Sequence, residues 1–139
     1  MKARGERSRR LLALLVAAPF VLRAACRVAW LSRRHGIAEL AARLRAAPPF
    51  HLAPLARPEL WRTAVGRLAP LLPVCGRGAC YAKSLLLLDL WARCGLVPRL
   101  HLSYQGGAGG VVGHAWVSAA RDGGQVSTPS LGHSPLFEL

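Results

Sequence analysis

One stretch constrains the fold more than any other: "ACYAKSLLLLDLWARCG", residues 79–95. Leu85, Leu86, Leu87, Leu88, Leu90 and Trp91 leave it almost no polar side. A helix that is apolar all round is stable only as a central element with others packed about it. The spacing predicts that helix over residues 80–94, with Gly95 as its stop and Pro98 just beyond. Asp89 and Arg93 stand four residues apart and read as an ion pair on the helix surface.

What surrounds this element is read from periodicity. Residues 1–10 are a basic, solvated tail, and residues 11–31 form a helix interrupted by Pro19. "GIAELAARLRAA", 36–47, brings Ile37, Leu40, Ala41 and Leu44 to one side of a second helix. "PPFHLAPLARP", 48–58, is a Pro-rich linker. A third helix starts at Pro58 and Glu59, residues suited to a first turn, and "PVCGRG", 73–78, is a loop. After Gly95 the period changes to two. "PRLHLSY" alternates Leu100, Leu102 and Tyr104 against Arg99, His101 and Ser103, and "VVGHAWVSA" sets His114, Trp116 and Ser118 against Ala115 and Val117. "QGGAGG", 105–110, is a loop between these strands. "RDGG", 121–124, is a hairpin turn into a third strand at "QVST", and the tail "PSLGHSPLFEL" is irregular. The whole is an α+β arrangement, helices followed by a small antiparallel sheet. It divides into an N-terminal helical region, 1–47, and a core, 48–139, within one compact domain.

The chain of 139 residues is 53% apolar, which suits one packed domain and excludes disorder. Its formal charge of +13 points to nucleic acid, an acidic membrane face or an acidic peptide. All but two of the 19 basic residues are Arg, a bias that a GC-rich genome also produces. They are spread along the chain without interleaved aromatics, so no nucleic-acid partner is expected. The start, "MKARGERSRRLLALLVAAPFVLRAAC", resembles an export signal in its basic and apolar halves. Its apolar run, Leu11–Leu22, is too short to span a bilayer, so a packed helix is expected, with peripheral membrane contact through residues 11–31. The four Cys, at 26, 75, 80 and 94, are read as reduced thiols of a cytoplasmic protein. Cys26 and Cys94 are read as core thiols, and Cys75 as a loop thiol.

Cys80 is the exception, because it stands where the apolar helix begins. A helix N-terminus carries unpaired N–H groups and partial positive charge, which favour a thiolate and can serve an oxyanion. A nucleophilic Cys needs a base. His114 lies mid-strand among apolar neighbours, and His101, also on a strand, is its competitor. His35, His51 and His133 fall in connecting segments or the tail.

"C-Y-A-K-S-L-L-L", then "G-L-V-P-R-L-H-L" and "G-H-A-W-V", resembles the transglutaminase-like, papain-type cysteine-protease superfamily. Within it the chain is most similar to the leader peptidase of lasso-peptide biosynthesis in its split form. The resemblance covers residues 58–137, including "SPLF". It implies a central helix carrying Cys packed on a small antiparallel sheet, with Cys80 as nucleophile and His114 as general base. It implies removal of the leader from a lasso precursor, with recognition of a Thr just before the cut. The implied partners are that precursor, a separate leader-binding protein and an ATP-dependent macrolactam synthetase; no cofactor and no metal is implied. The third member of the triad departs from the family pattern, which has an Asp on the strand after "HAWV". Here Asp122 is the only Asp after His114, and eight residues of strand put it ~26 Å away unless the turn folds back. Thr128 is the alternative, with Ser127 or a backbone carbonyl as further acceptors. Loss of an orienting acid costs orders of magnitude in rate, so a weak or inactive homologue fits the same residues. Two other classes stand beside the peptidase. One is a zinc-binding module using Cys75, Cys80 and one or two of His101 and His114; the other is a non-catalytic basic adaptor.

Overall fold

The computed structural model describes residues 2–73, 79–107, 110–121, 124–127 and 137–139. Its centre is helix α4 (Ala79–Arg93), whose Leu85, Leu86, Leu88, Leu90 and Trp91 are each at most 2% exposed. The reason is the one read from the sequence: a helix without a polar face must be covered on every side. Three helices and a sheet provide that cover. They are α1 (Lys2–Ser32), α2 (Ile37–Arg45), α3 (Pro58–Leu68) and a sheet of β1 (Val97–Gly107), β2 (Gly110–Arg121), β3 (Gly124–Ser127) and β4 (Phe137–Glu138). The strand order is β3-β2-β1-β4, with every neighbouring pair antiparallel. The α+β architecture read from the sequence is therefore the one observed.

A single hydrophobic cluster runs from Ala17 and Val21 of α1 to Val117 and Ala119 of β2. It joins the helical region 1–47 to the core 48–139 through shared side-chain contacts. The Pro-rich linker is tied down at both ends. Phe50 donates its N–H to the carbonyl of Arg93 at 2.7 Å, and the indole of Trp61 donates to the carbonyl of Leu55 at 2.7 Å. Phe50 stacks on Trp61 at 5.1 Å, with Phe20 of α1 edge-on to both. The indole of Trp91 donates to the carbonyl of Pro58 at 3.2 Å, which fixes the start of α3 against α4.

Helix α4 stops as expected. Gly95 has φ +78°, the N–H of Leu96 bonds the carbonyl of Trp91 at 3.2 Å, and the N–H of Gly95 bonds that of Ala92 at 3.0 Å. This paired termination satisfies carbonyls that the helix end leaves open and turns the chain into β1.

Several expectations are corrected. From Lys2 onward the basic segment belongs to α1 rather than to a solvated tail. The Gly-rich segment 105–110 is mostly strand, since β1 runs to Gly107 and β2 begins at Gly110 with these two residues paired. Ladder bonds are made by backbone, so glycine's lack of a side chain does not prevent them. The tail contributes a strand at its end. β4 pairs with β1, and Leu139 exchanges both backbone bonds with Leu100 at 2.7 and 2.8 Å. Cys26 is exposed rather than in the core, and Cys94 is half-buried with its S–H directed at the carbonyl of Leu55, 3.6 Å away.

Asp89 is the largest correction, because it is completely buried. One carboxylate oxygen accepts from Arg93 Nε at 3.0 Å, while the other takes a short ion-paired hydrogen bond from Arg27 of α1. Arg27 also donates to the carbonyl of Arg43 in α2 at 2.8 Å. A carboxylate withdrawn from water needs paired, hydrogen-bonded partners, and here they come from two helices and join three.

Candidate active site

Cys80 is the second residue of α4 and is partly exposed. The turn that carries it leads into Ser84, Leu85 and Leu88, all buried, so the helix is anchored by its apolar body while its first turn reaches the surface. The sulfur sits against the sheet, its S–H directed at the carbonyl of Gly113 at 4.0 Å. Gly113 directly precedes His114 and is paired with Tyr104 of β1. A Cβ at Gly113 would stand 3.1 Å from Cε1 and 3.3 Å from Cδ1 of Tyr104. The missing side chain at Gly113 thus leaves room for the Tyr104 ring across the strand pair. Tyr81, the neighbour of Cys80, has its phenol pushed above its ordinary value by burial and, secondarily, by the charge of Tyr104.

His114 is half-buried and stacks on Trp116 with ring centroids 5.7 Å apart. Trp116 in turn stacks on His101 at 5.3 Å, and His101 Nε2 shares a 2.6 Å hydrogen bond with Ser118 Oγ. Three rings therefore line one side of the central strand pair, while Leu100, Leu102, Ala115 and Val117 join the core cluster with α4. The structure brings Cys80 to the peptide adjoining His114, while the His114 ring lies with Trp116 on the face of the sheet turned away from α4, so sulfur and imidazole do not meet in this arrangement.

The register separates the two competing histidines. His101 pairs with Trp116, three residues along β1 from Tyr104, or ~10 Å from the strand position that Cys80 touches. His114 adjoins that position. Ser127 pairs with Ser118, four residues along β2 from His114. That is ~13 Å of strand, too far for a hydrogen bond to the His114 ring. Asp122, Thr128, Cys75 and His133 lie outside the described residues.

A cavity of about 310 Å³, lined by Phe20, Arg23, His51, Asp89 and Arg93 among others, lies toward the other end of α4. By helix rise those α4 residues are about 13–20 Å from Cys80. Among the described residues no three His, Cys, Asp or Glu side chains converge as metal ligands would.

Gly113 as the neighbour of the sulfur, and Tyr104 as the residue across from it, were not legible beforehand, because a cross-strand pair nine residues apart is known only once the register is. The Trp116–His101 stack was hidden for the same reason.

A model of the transglutaminase-like superfamily matches residues 18–131. The chain belongs to the transglutaminase-like superfamily, which includes cysteine peptidases and transglutaminases. The match begins inside α1, so it takes in most of the N-terminal helical region as well as strands β1, β2 and β3. No curated protein and no solved structure matches the chain.

Proposed function

We propose that the protein is a cysteine peptidase that removes the leader from a lasso-peptide precursor. The observation that carries this reading is the seat of Cys80. It is a partly exposed thiol in the first turn of a buried helix, with its sulfur 4.0 Å from the carbonyl beside His114. Superfamily membership supports the reaction type, and the motifs around Cys80 and His114 support the substrate class.

In this reading the start of β2 rearranges on substrate binding to bring the His114 imidazole, which faces away from α4 beside Trp116, round to the sulfur, where it takes the proton. The thiolate adds to the scissile carbonyl, and the N–H groups at the start of α4 hold the oxyanion. The C–N bond then breaks. The leader's acyl group stays on Cys80 as a thioester, and the core peptide leaves as an amine carrying the proton returned by His114. Water, deprotonated by His114, hydrolyses the thioester and frees leader and enzyme. Asp122 or Thr128 would orient the imidazole. A leader-binding protein would deliver the precursor, and a macrolactam synthetase would use the freed amine.

The test is cleavage of a lasso precursor peptide with a Thr just before the cut site, in the presence of a leader-binding protein, followed by mass spectrometry. Cys80→Ala should abolish cleavage with unfolding unchanged, and His114→Ala should lower it by about 10²–10⁴-fold. Cys75→Ala should leave it intact. Undiminished cleavage by Cys80→Ala would remove the sulfur from the reaction. Equal losses for His101→Ala and His114→Ala would remove the assignment of the base.

A further inference from the structure

We propose that α1 docks lengthwise on an anionic membrane surface through its outward side. This inference is independent of whether Cys80 cleaves peptide.

Helix α1 is two-sided in an unusual way. Ala17, Val21, Ala24, Ala25, Val28 and Leu31 face the core and are each at most 4% exposed. The opposite side is also apolar: Leu11, Leu12, Leu15, Val16, Leu22 and Trp30 are each at least 50% exposed. An exposed row of large apolar side chains along one helix is a surface seeking a partner. From Leu11 to Trp30 the row is about 29 Å long at 1.5 Å per residue. Beside its first half, against α3, runs a groove of about 660 Å³ that widens the apolar surface through Pro54 and Leu60.

Charge identifies the partner. Five of the first ten residues are basic, and Arg23, Arg33 and Arg34 are exposed along and beyond the apolar row. At its end Arg34 lies over the Trp30 ring, 4.3 Å from the centroid. Apolar residues flanked by arginines, with a Trp at the boundary, match the region between acyl chains and anionic headgroups.

Depth follows from the core contacts. The apolar stretch of the helix is longer than the Leu11–Leu22 run read from the sequence, and by length and composition Leu11–Ser32 could cross a membrane. Spanning would strip the inner side of α1 from α4 and pull Arg27 away from the buried Asp89. Lying flat keeps both and buries only the side already exposed.

The test is co-sedimentation of the full chain with phosphatidylcholine vesicles, with and without a quarter phosphatidylglycerol. Binding should require the anionic lipid and weaken as salt rises. Arg33→Gln with Arg34→Gln should weaken it by about tenfold or more. Leu15→Ser with Leu22→Ser, both at exposed positions, should abolish it without moving the unfolding midpoint. Vesicles should slow alkylation of the exposed Cys26, read by peptide mapping. No binding at low salt would overturn the proposal, as would binding that survives alkaline extraction, which marks a spanning helix. A concentration-dependent dimer without lipid, lost in the Leu15/Leu22 variant, would also overturn it by assigning the surface to a second copy of the chain.

Discussion

Arg27 and Asp89, 62 residues apart, form an ion pair in which the Asp89 side chain is entirely shielded from water and the Arg27 side chain is 28% exposed. Arg93 holds the second carboxylate oxygen, and Arg27 continues to the backbone of α2. The network sets how α1 and α2 sit on α4.

Removing Arg27 should therefore weaken the fold as a whole. Arg27→Met takes away one charged hydrogen bond to a buried carboxylate and one to a carbonyl. A loss of about 1.5–3 kcal/mol is expected. Urea unfolding should show a lower midpoint with unchanged slope. An unchanged midpoint would mean that Arg93 alone satisfies Asp89.

Two glycines should respond in opposite directions to the same substitution. Gly95 has φ +78° with open space around a new Cβ, so the cost of Gly95→Ala is purely conformational, about 1–2 kcal/mol. Gly66 is exposed inside α3, also with open space. Gly66→Ala should stabilise by about 0.5–1 kcal/mol. Thermal unfolding of the two variants beside the parent decides both.

Tyr81 should titrate above the ordinary tyrosine value of 10.0. Burial is the larger cause and persists in Tyr104→Phe; the charge of Tyr104 is removed there. The shift should therefore shrink in that variant without vanishing. The folded protein keeps the Tyr81 proton where the unfolded chain has lost it, so the unfolded state binds fewer protons above pH 10 and stability falls as pH rises from there. The chain has only two tyrosines, so phenolate absorbance resolves the titration, and denaturant unfolding across that range checks the sign.

Gly113→Ala should separate stability from activity. Its Cβ would meet the ring of Tyr104 at 3.1 Å, and that ring is half-exposed and free to give way. Stability should change by less than about 1 kcal/mol. The Gly113 carbonyl lies against the Cys80 sulfur, so a shift of the strand there should lower precursor cleavage by about tenfold to a hundredfold. Full activity with the same unfolding midpoint would show that the sulfur's seat tolerates movement of Tyr104.

The amino-acid sequence alone determined the elements and the thiol. The apolar run of α4, its stop at Gly95 and the alternation of β1 and β2 are local patterns, and each survives in the fold because no tertiary contact opposes it. The position of Cys80 at the helix mouth is likewise a matter of counting residues. Tertiary structure decided what depends on distant partners. An i, i+4 Asp–Arg pair reads the same on a surface as in a core, and only Arg27 brought across from α1 tells which Asp89 is. Gly-rich strand cannot be told from loop until its partner is aligned, as at Gly107 and Gly110. Strand register places His114 next to the residue that Cys80 touches and His101 ~10 Å along the sheet, and the alternation of the strands turns both rings to the face away from α4.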